Sequence, residues 1–298
     1  MWKELLQQMK QGDIKALARS ISLVENEYPG YEELLENIPV TGSKIIGITG
    51  PPGAGKSTLV DSLMNFLIAE GKKVAVLCVD PSSPFNLGAV LGDRVRMGNW
   101  YTHQDIFIRS LATRGSMGGL HPKIIEITDL VKAFNFDHII VETVGVGQSE
   151  IEIAGLADVT VVVLVPEAGD EIQTMKAGLM EIADIFVVNK SDRPAADAFV
   201  KNLQQMMAPT FGKHYNEIPV VKTVALQNEG VKELFDIIVH QLQKAHISDK
   251  RFWLLAERAF QLIQKKRMSD VDKALLKKDI ELNYKKGNFN LYKFIAGR

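Results

Sequence analysis

Several things are scarce in this chain, and each scarcity excludes something. One of its 298 residues is cysteine, Cys78, so no intramolecular disulfide can form, which suits a reducing compartment. Cys78 lies in the apolar run Val74 to Val79 and reads as a small buried hydrophobe. No stretch approaches the ~20 apolar residues of a membrane span; the longest, Val159 to Pro166, has the length of a strand. The start, Met1-Trp2-Lys3-Glu4-Leu5-Leu6, has no apolar leader core and carries an early acid, so a cytoplasmic location with no membrane partner is expected. Charge of one sign is also lacking: the net is −1, too little to steer the whole chain to nucleic acid or membranes. The six histidines (103, 121, 138, 214, 240 and 246) are scattered without metal-ligand spacing. There are no internal repeats or low-complexity tracts.

What is present is ordinary globular material, 46% hydrophobic and 24% charged, enough for one large domain with helical additions. Residues 1–40 read as helical. Trp2, Leu5, Leu6 and Met9 form one stripe, and Ile14, Leu17, Ala18, Ile21 and Val24 form a second. Pro29-Gly30 breaks the pattern before a short helix near Leu34-Leu35. Residues 41–246 alternate apolar runs with helical stretches. The runs are 44–49, 74–79, 106–111, 137–141, 159–165, 184–189 and 219–224, five of them nearly continuously apolar, as in strands buried on both faces. This predicts an α/β domain with a mostly parallel sheet and ligands at the carboxyl ends of its strands. Residues 247–298 hold 13 Lys and Arg against 6 Asp and Glu, a net of +7. The expectation there is an amphipathic helical arm with solvated basic faces, and nucleic-acid contact is the weaker reading.

Four strings carry chemistry. Gly50-Pro51-Pro52-Gly53-Ala54-Gly55-Lys56-Ser57, followed by Thr58, fits G-x4-GK[ST] and joins an apolar run to a helical pattern. Its glycines let backbone N–H groups turn inward around phosphate oxygens, and the helix N-terminus adds positive potential. Lys56 is placed to reach the β- and γ-phosphates and the Ser57 hydroxyl to ligate Mg²⁺. Asn189-Lys190-Ser191-Asp192 follows the sixth run. Its carboxylate can accept from the N1–H and amine of guanine, and the Lys190 stem can cover the base, so GTP and GDP are expected over ATP. Glu142 ends the fourth run, and Gly145 follows where D-x-x-G would stand in most GTPases. An acid there can hold Mg²⁺ or its waters, and Gln148 is a candidate for positioning the attacking water. Asp80-Pro81-Ser82-Ser83-Pro84 leads to Leu91-Gly92-Asp93-Arg94-Val95-Arg96-Met97. Asp80 and Asp93 can complete the Mg²⁺ shell or orient water, or simply cap turns. No arginine finger stands out; Arg94, Arg96, Arg109 and Arg114 are candidates.

These strings, with Gly169-Asp170-Glu171-Ile172-Gln173-Thr174-Met175-Lys176-Ala177-Gly178-Leu179-Met180-Glu181-Ile182-Ala183-Asp184, resemble the MeaB/ArgK family, GTPases of the SIMIBI class, over nearly the whole chain. Residues Arg19 to Asn26 resemble its N-terminal helical segment, and 247–298, more weakly, its dimerisation arm. The resemblance implies a homodimeric metallochaperone that couples GTP hydrolysis to adenosylcobalamin loading on methylmalonyl-CoA mutase or a related acyl-CoA mutase. It implies Mg²⁺ ligands at Ser57, Asp80, Asp93 and Glu142, catalytic roles for Lys56, Asp93, Glu142 and Gln148, and a partner-facing switch at Gln173 and Lys176. One string departs from the pattern. The base-side loop usually reads S-A-L and here reads Val224-Ala225-Leu226. The Ala225 N–H can still meet the guanine carbonyl, while the missing hydroxyl is expected to loosen the loop. An ATP-dependent kinase, a nucleotide-switched scaffold and a nickel-inserting GTPase stay open as alternatives.

Overall fold

The computed structural model describes residues 1–80, 100, 103–113, 120–143, 149–168, 178–211, 218–244, 249–287 and 289–296. Three helices come first: α1 (Trp2–Lys10), α2 (Ile14–Glu25) and α3 (Tyr31–Glu36). The Asp13 carboxylate caps α2 by accepting from the N–H groups of Lys15 and Ala16 at 2.8 and 3.3 Å. At the predicted Pro29-Gly30 break, Gly30 takes φ +83° and starts α3.

Seven strands follow: β1 (Lys44–Thr49), β2 (Val74–Asp80), β3 (Ile106–Ala112), β4 (His138–Glu142), β5 (Val159–Leu164), β6 (Ile185–Asn189) and β7 (Val220–Thr223). Between them run α4 (Lys56–Ala69), α5 (Ile124–Lys132), α6 (Ser149–Leu156), α7 (Gly178–Ile182) and α8 (Ala196–Phe211), and α9 (Val231–Lys244) comes after β7. All seven strands pair in parallel, in the order β3-β2-β4-β1-β5-β6-β7. Central strands β2, β5 and β6 are buried at every position, whereas edge strand β7 alternates. Continuous apolar runs mark strands covered on both faces, and alternation marks an edge.

Two apolar layers cover the sheet. On one face Leu59, Leu63 and Leu67 of α4 and Leu234 and Ile238 of α9 pack with Ile46, Ile48 and Val76. On the other, Phe199 and Leu203 of α8 pack with Val162, Phe186 and Val188. Burying side chains of this size contributes roughly 1.5–3 kcal/mol each. The N-terminal helices are fastened to the β3 edge by polar bonds: Arg109 of β3 pairs with Glu25 and donates to Ser22, both of α2. That accounts for Arg109 as a structural residue and removes it from the arginine-finger candidates.

The chain separates into two compact units, Met1–Arg251 and Phe252–Arg298. The second carries the rest of α10 (Asp249–Arg267), then α11 (Lys273–Lys285) and α12 (Leu291–Ala296), and none of these three helices contains a buried residue. Among the described residues, no helix is long and apolar enough to cross a membrane.

Candidate functional site

Because every strand runs the same way, the ends of β1, β2, β4, β6 and β7 share one edge, and the sequence motifs follow those ends. The glycine-rich loop leaves β1 at Gly50, where φ is +140° and an added Cβ would lie 2.1 Å from the Val163 carbonyl of β5. Only glycine fits so near a neighbouring strand. The loop closes on Lys56, the first residue of α4, which is 6% exposed. Its Nζ donates to the carbonyls of Gly50 and Pro51 at 2.9 and 3.0 Å, drawing the ammonium across the loop. No side chain caps α4, so its first-turn N–H groups point toward whatever anion the loop encloses.

Ser57 Oγ donates to Glu142 Oε1 at 2.7 Å. Glu142 is the last residue of β4, buried and in register with Ile48 and Cys78. The neighbouring hydroxyls of Thr49 and Thr143 lie 2.8 Å apart. Asp80, the last residue of β2, is also buried. The Ser57 hydroxyl and Glu142 carboxylate meet at a helix N-terminus and are hard oxygen donors of the kind Mg²⁺ takes, so this pair fits that ion. Asp93, Gln148, Gln173 and Lys176, and likewise Arg94, Arg96 and Arg114, lie outside the described residues.

The base side is built around Asn189. Its Nδ2 donates to the Ala54 carbonyl at 3.0 Å, and its Oδ1 accepts from Thr223 Oγ1 at 3.1 Å and from the Ala225 N–H at 3.2 Å. An added Cβ at Gly55, where φ is +88°, would lie 2.4 Å from that same Nδ2. Lys190 turns the chain with φ +56° and donates from Nζ to the Gly53 carbonyl at 2.8 Å. Asp192 is exposed beside it. Arg193 pairs with Glu167 and holds that carboxyl below the usual range. The loosening expected at Val224-Ala225-Leu226 is not seen. The Ala225 N–H is held by Asn189, its carbonyl accepts from Ser62 Oγ of α4, and the Val224 N–H reaches Glu229. Asn189, the Ser62 hydroxyl and the Glu229 carbonyl hold the loop although it has no serine of its own, while Leu226 stays 85% exposed.

A comparison with family profiles matches residues 17–279 to the description "Methylmalonyl Co-A mutase-associated GTPase MeaB". The chain belongs to the MeaB family. A relative in Pyrococcus abyssi is 44% identical over 301 residues, covering 97% of this chain and 89% of its own. The GTPase ArgK of Escherichia coli is 37% identical over 246 residues, 79% of this chain and 74% of ArgK. A fused isobutyryl-CoA mutase of Geobacillus kaustophilus is 35% identical over 256 residues, 80% of this chain and 24% of that larger protein. Among solved structures, an LAO/AO transport system kinase superposes with TM-score 0.67 at 27% identity, covering 99% and 95% of the two chains. This MeaB-family chain is therefore a P-loop GTPase, a guanine-nucleotide binder that hydrolyses GTP, in a family associated with mutases.

Some residues of this MeaB-family edge carried no sequence signal. Thr223 and Ser62 belong to no motif string, yet each completes a bond to the base-side loop. The Trp100 indole N–H donates to Asp61 of α4 at 2.6 Å, one turn beyond Ser57. A short polar residue at a strand end or on a helix face is too common for spacing alone to single it out.

Proposed function

We propose that this chain uses GTP binding and hydrolysis to time the loading and protection of adenosylcobalamin on an acyl-CoA mutase. The observation that carries the reading is the fused isobutyryl-CoA mutase, in which a segment similar to 80% of this chain shares a polypeptide with a mutase. Fusion makes encounter intramolecular and raises effective concentration; a separate chain with the same segment would meet its mutase as a partner.

In this reading Gly50, Pro51, Pro52, Gly53, Ala54, Gly55 and Thr58 enclose the phosphates with their backbone. Lys56 exchanges the carbonyls of Gly50 and Pro51 for phosphate oxygens, where its charge counts most as the γ-phosphoryl departs. Ser57, Asp80, Asp93 and Glu142 hold Mg²⁺, which when bound neutralises phosphate charge. Asp192 and the Ala225 N–H read guanine, with Lys190 across the base and Val224 and Leu226 bounding it. Gln148 positions the attacking water, and Gln173 and Lys176 face the mutase. The chain divides into an N-terminal helical segment (1–40), the GTPase domain (41–246) and an arm (247–298) that joins two copies in the cytoplasm.

An ATP kinase is the competing reading, because the LAO/AO protein carries a kinase name. Competition of ATP against labelled GTP separates the two. Capture on methylmalonyl-CoA and isobutyryl-CoA mutases, in GDP and in a non-hydrolysable GTP analogue, tests the main proposal. Binding to one mutase that depends on the nucleotide, with turnover raised by it, is expected. Fast GTP hydrolysis that no mutase binds or alters overturns the proposal.

A further inference from the structure

The opposite, amino edge of the sheet carries a cavity of about 310 Å³, lined in part by Glu181 to Asp184 at the end of the string that begins at Gly169. Its walls are the starts of β1 and β5, the residues before β6, the last residue of α9 and the first residues of α10, all within the unit Met1–Arg251. Six strand residues, about 20 Å, separate this edge from the glycine-rich loop.

Four cations line it: Lys44, Lys244, Lys250 and Arg251. Three acids line it, Asp158, Glu181 and Asp184, and backbone donors take one oxygen of Asp158 and one of Asp184. Asp158 Oδ2 accepts from the Ile45 N–H at 2.8 Å, and Asp184 Oδ2 accepts from the Thr160 N–H at 2.7 Å. Each carboxylate therefore ends a strand by taking its first free donor. The remaining Asp158 oxygen, Oδ1, serves two cations at once, Arg251 Nη1 at 3.2 Å and Lys44 Nζ at 3.6 Å. A guanidinium has five N–H donors, and one of Arg251's goes to Asp158. Lys250 donates to the Glu181 carbonyl. Lys244 has no ion pair among the described residues. The crowding of cations extends behind the wall. Lys132 has its pKa lowered, first by burial and then by the charge of Arg251; Asp158 and Asp129 partly offset this, and Lys44 adds to it. Burial meanwhile pushes the Asp184 carboxyl up, toward its neutral form. Cations that share too few acceptors are stabilised by an added anion.

We propose that this cavity is a binding site for a small phosphorylated molecule, its phosphate held by Arg251, Lys44 and Lys244. A guanidinium fork flanked by lysines suits a phosphate, and the volume, at the small end of ligand pockets, suits a compact ester. The site is separate from the nucleotide edge and does not depend on the mutase reading.

The test is calorimetric titration of inorganic phosphate into full-length protein already saturated with GDP and Mg²⁺, which occupies the glycine-rich loop. Wild type binds one phosphate per chain. Lys244→Gln and Lys44→Gln each weaken binding about tenfold or more, the weight of one charge-assisted bond, with GDP affinity unchanged. Lys244 has no ion pair to break, and Asp158 keeps Arg251 when Lys44 is replaced, so both variants fold. No phosphate binding up to about 10 mM, weaker than specific recognition requires, overturns the proposal. So does binding that both variants leave unaltered.

Discussion

Asn189 holds together three parts of the site that are far apart in sequence. Its amide meets Ala54, Thr223 and Ala225, separated from it by 135, 34 and 36 positions. It is 2% exposed, so water replaces none of these bonds. Asn189→Ala leaves a carbonyl, a hydroxyl and an N–H without their partner. At about 1–3 kcal/mol for each buried group left unsatisfied, and with some relaxation, the loss is roughly 2–4 kcal/mol. GTP affinity falls at the same time, because Gly53-Ala54-Gly55 loses its brace. Thermal melting and labelled-GTP titration measure the two losses. A variant that melts like wild type and binds GTP as tightly contradicts this role. The asparagine itself was legible in the sequence as part of N-K-x-D, but its partners were not. They meet it only once β6 and β7 pair with Asn189 opposite Thr223, and pairing register is a property of the fold.

Strands were the most legible elements, since burial on both faces leaves runs such as Val74 to Asp80 apolar almost throughout. All seven sequence runs fall on observed strands, with no end shifted by more than one residue. Less legible were polar residues inside those elements. Arg109 looked available for catalysis and is instead tied to α2. His138, the first residue of β4, stands edge-on to Phe235 of α9 with ring centroids 5.2 Å apart. Burial lowers its pKa below the usual 6.5; Asp137 partly offsets this and Lys72 adds to it. The unfolded chain therefore takes the proton at a higher pH than the folded one does. His138 contributes full stability above pH 6.5 and loses it as pH falls from there through the folded value. Asp129, Glu152 and Asp184 act in the opposite sense. Burial raises their pKa values, so the folded state binds their protons first and gains from acid. In His138→Phe, which keeps a ring against Phe235, melting temperature declines less between pH 6.5 and the onset of carboxylate titration. Equal slopes in variant and wild type refute this assignment.

At the scale of the molecule, the two units bury apolar surface very differently. The first has a continuous core on both faces of its sheet, whereas the helices of the second bury nothing and leave Trp253, Phe260 and Ile263 at 76%, 61% and 51% exposure. Spacings of seven and three residues put these three on one face of α10. From Trp253 to Ile263 the ridge runs about 15 Å along the helix, enough to contribute to an interface of the usual ~1,200–2,000 Å². Large apolar side chains gathered on one exposed face mark a contact surface. The proposed dimer supplies that contact, with a second copy of the arm covering the ridge. The sequence carried the arm's +7 charge and a helical stripe of Phe252, Leu255, Ala259, Leu262 and Ile263, which shares only Ile263 with this face; whether a stripe meets the chain's own core is a tertiary matter that periodicity cannot decide. The prediction is a dimer in sedimentation at micromolar concentration, converted to monomer by Trp253→Glu with Phe260→Glu. GTP turnover per chain stays unchanged, because neither residue belongs to a nucleotide motif. A wild type that sediments as a monomer rejects the dimer, and a double variant that still sediments as one rejects this face as its interface.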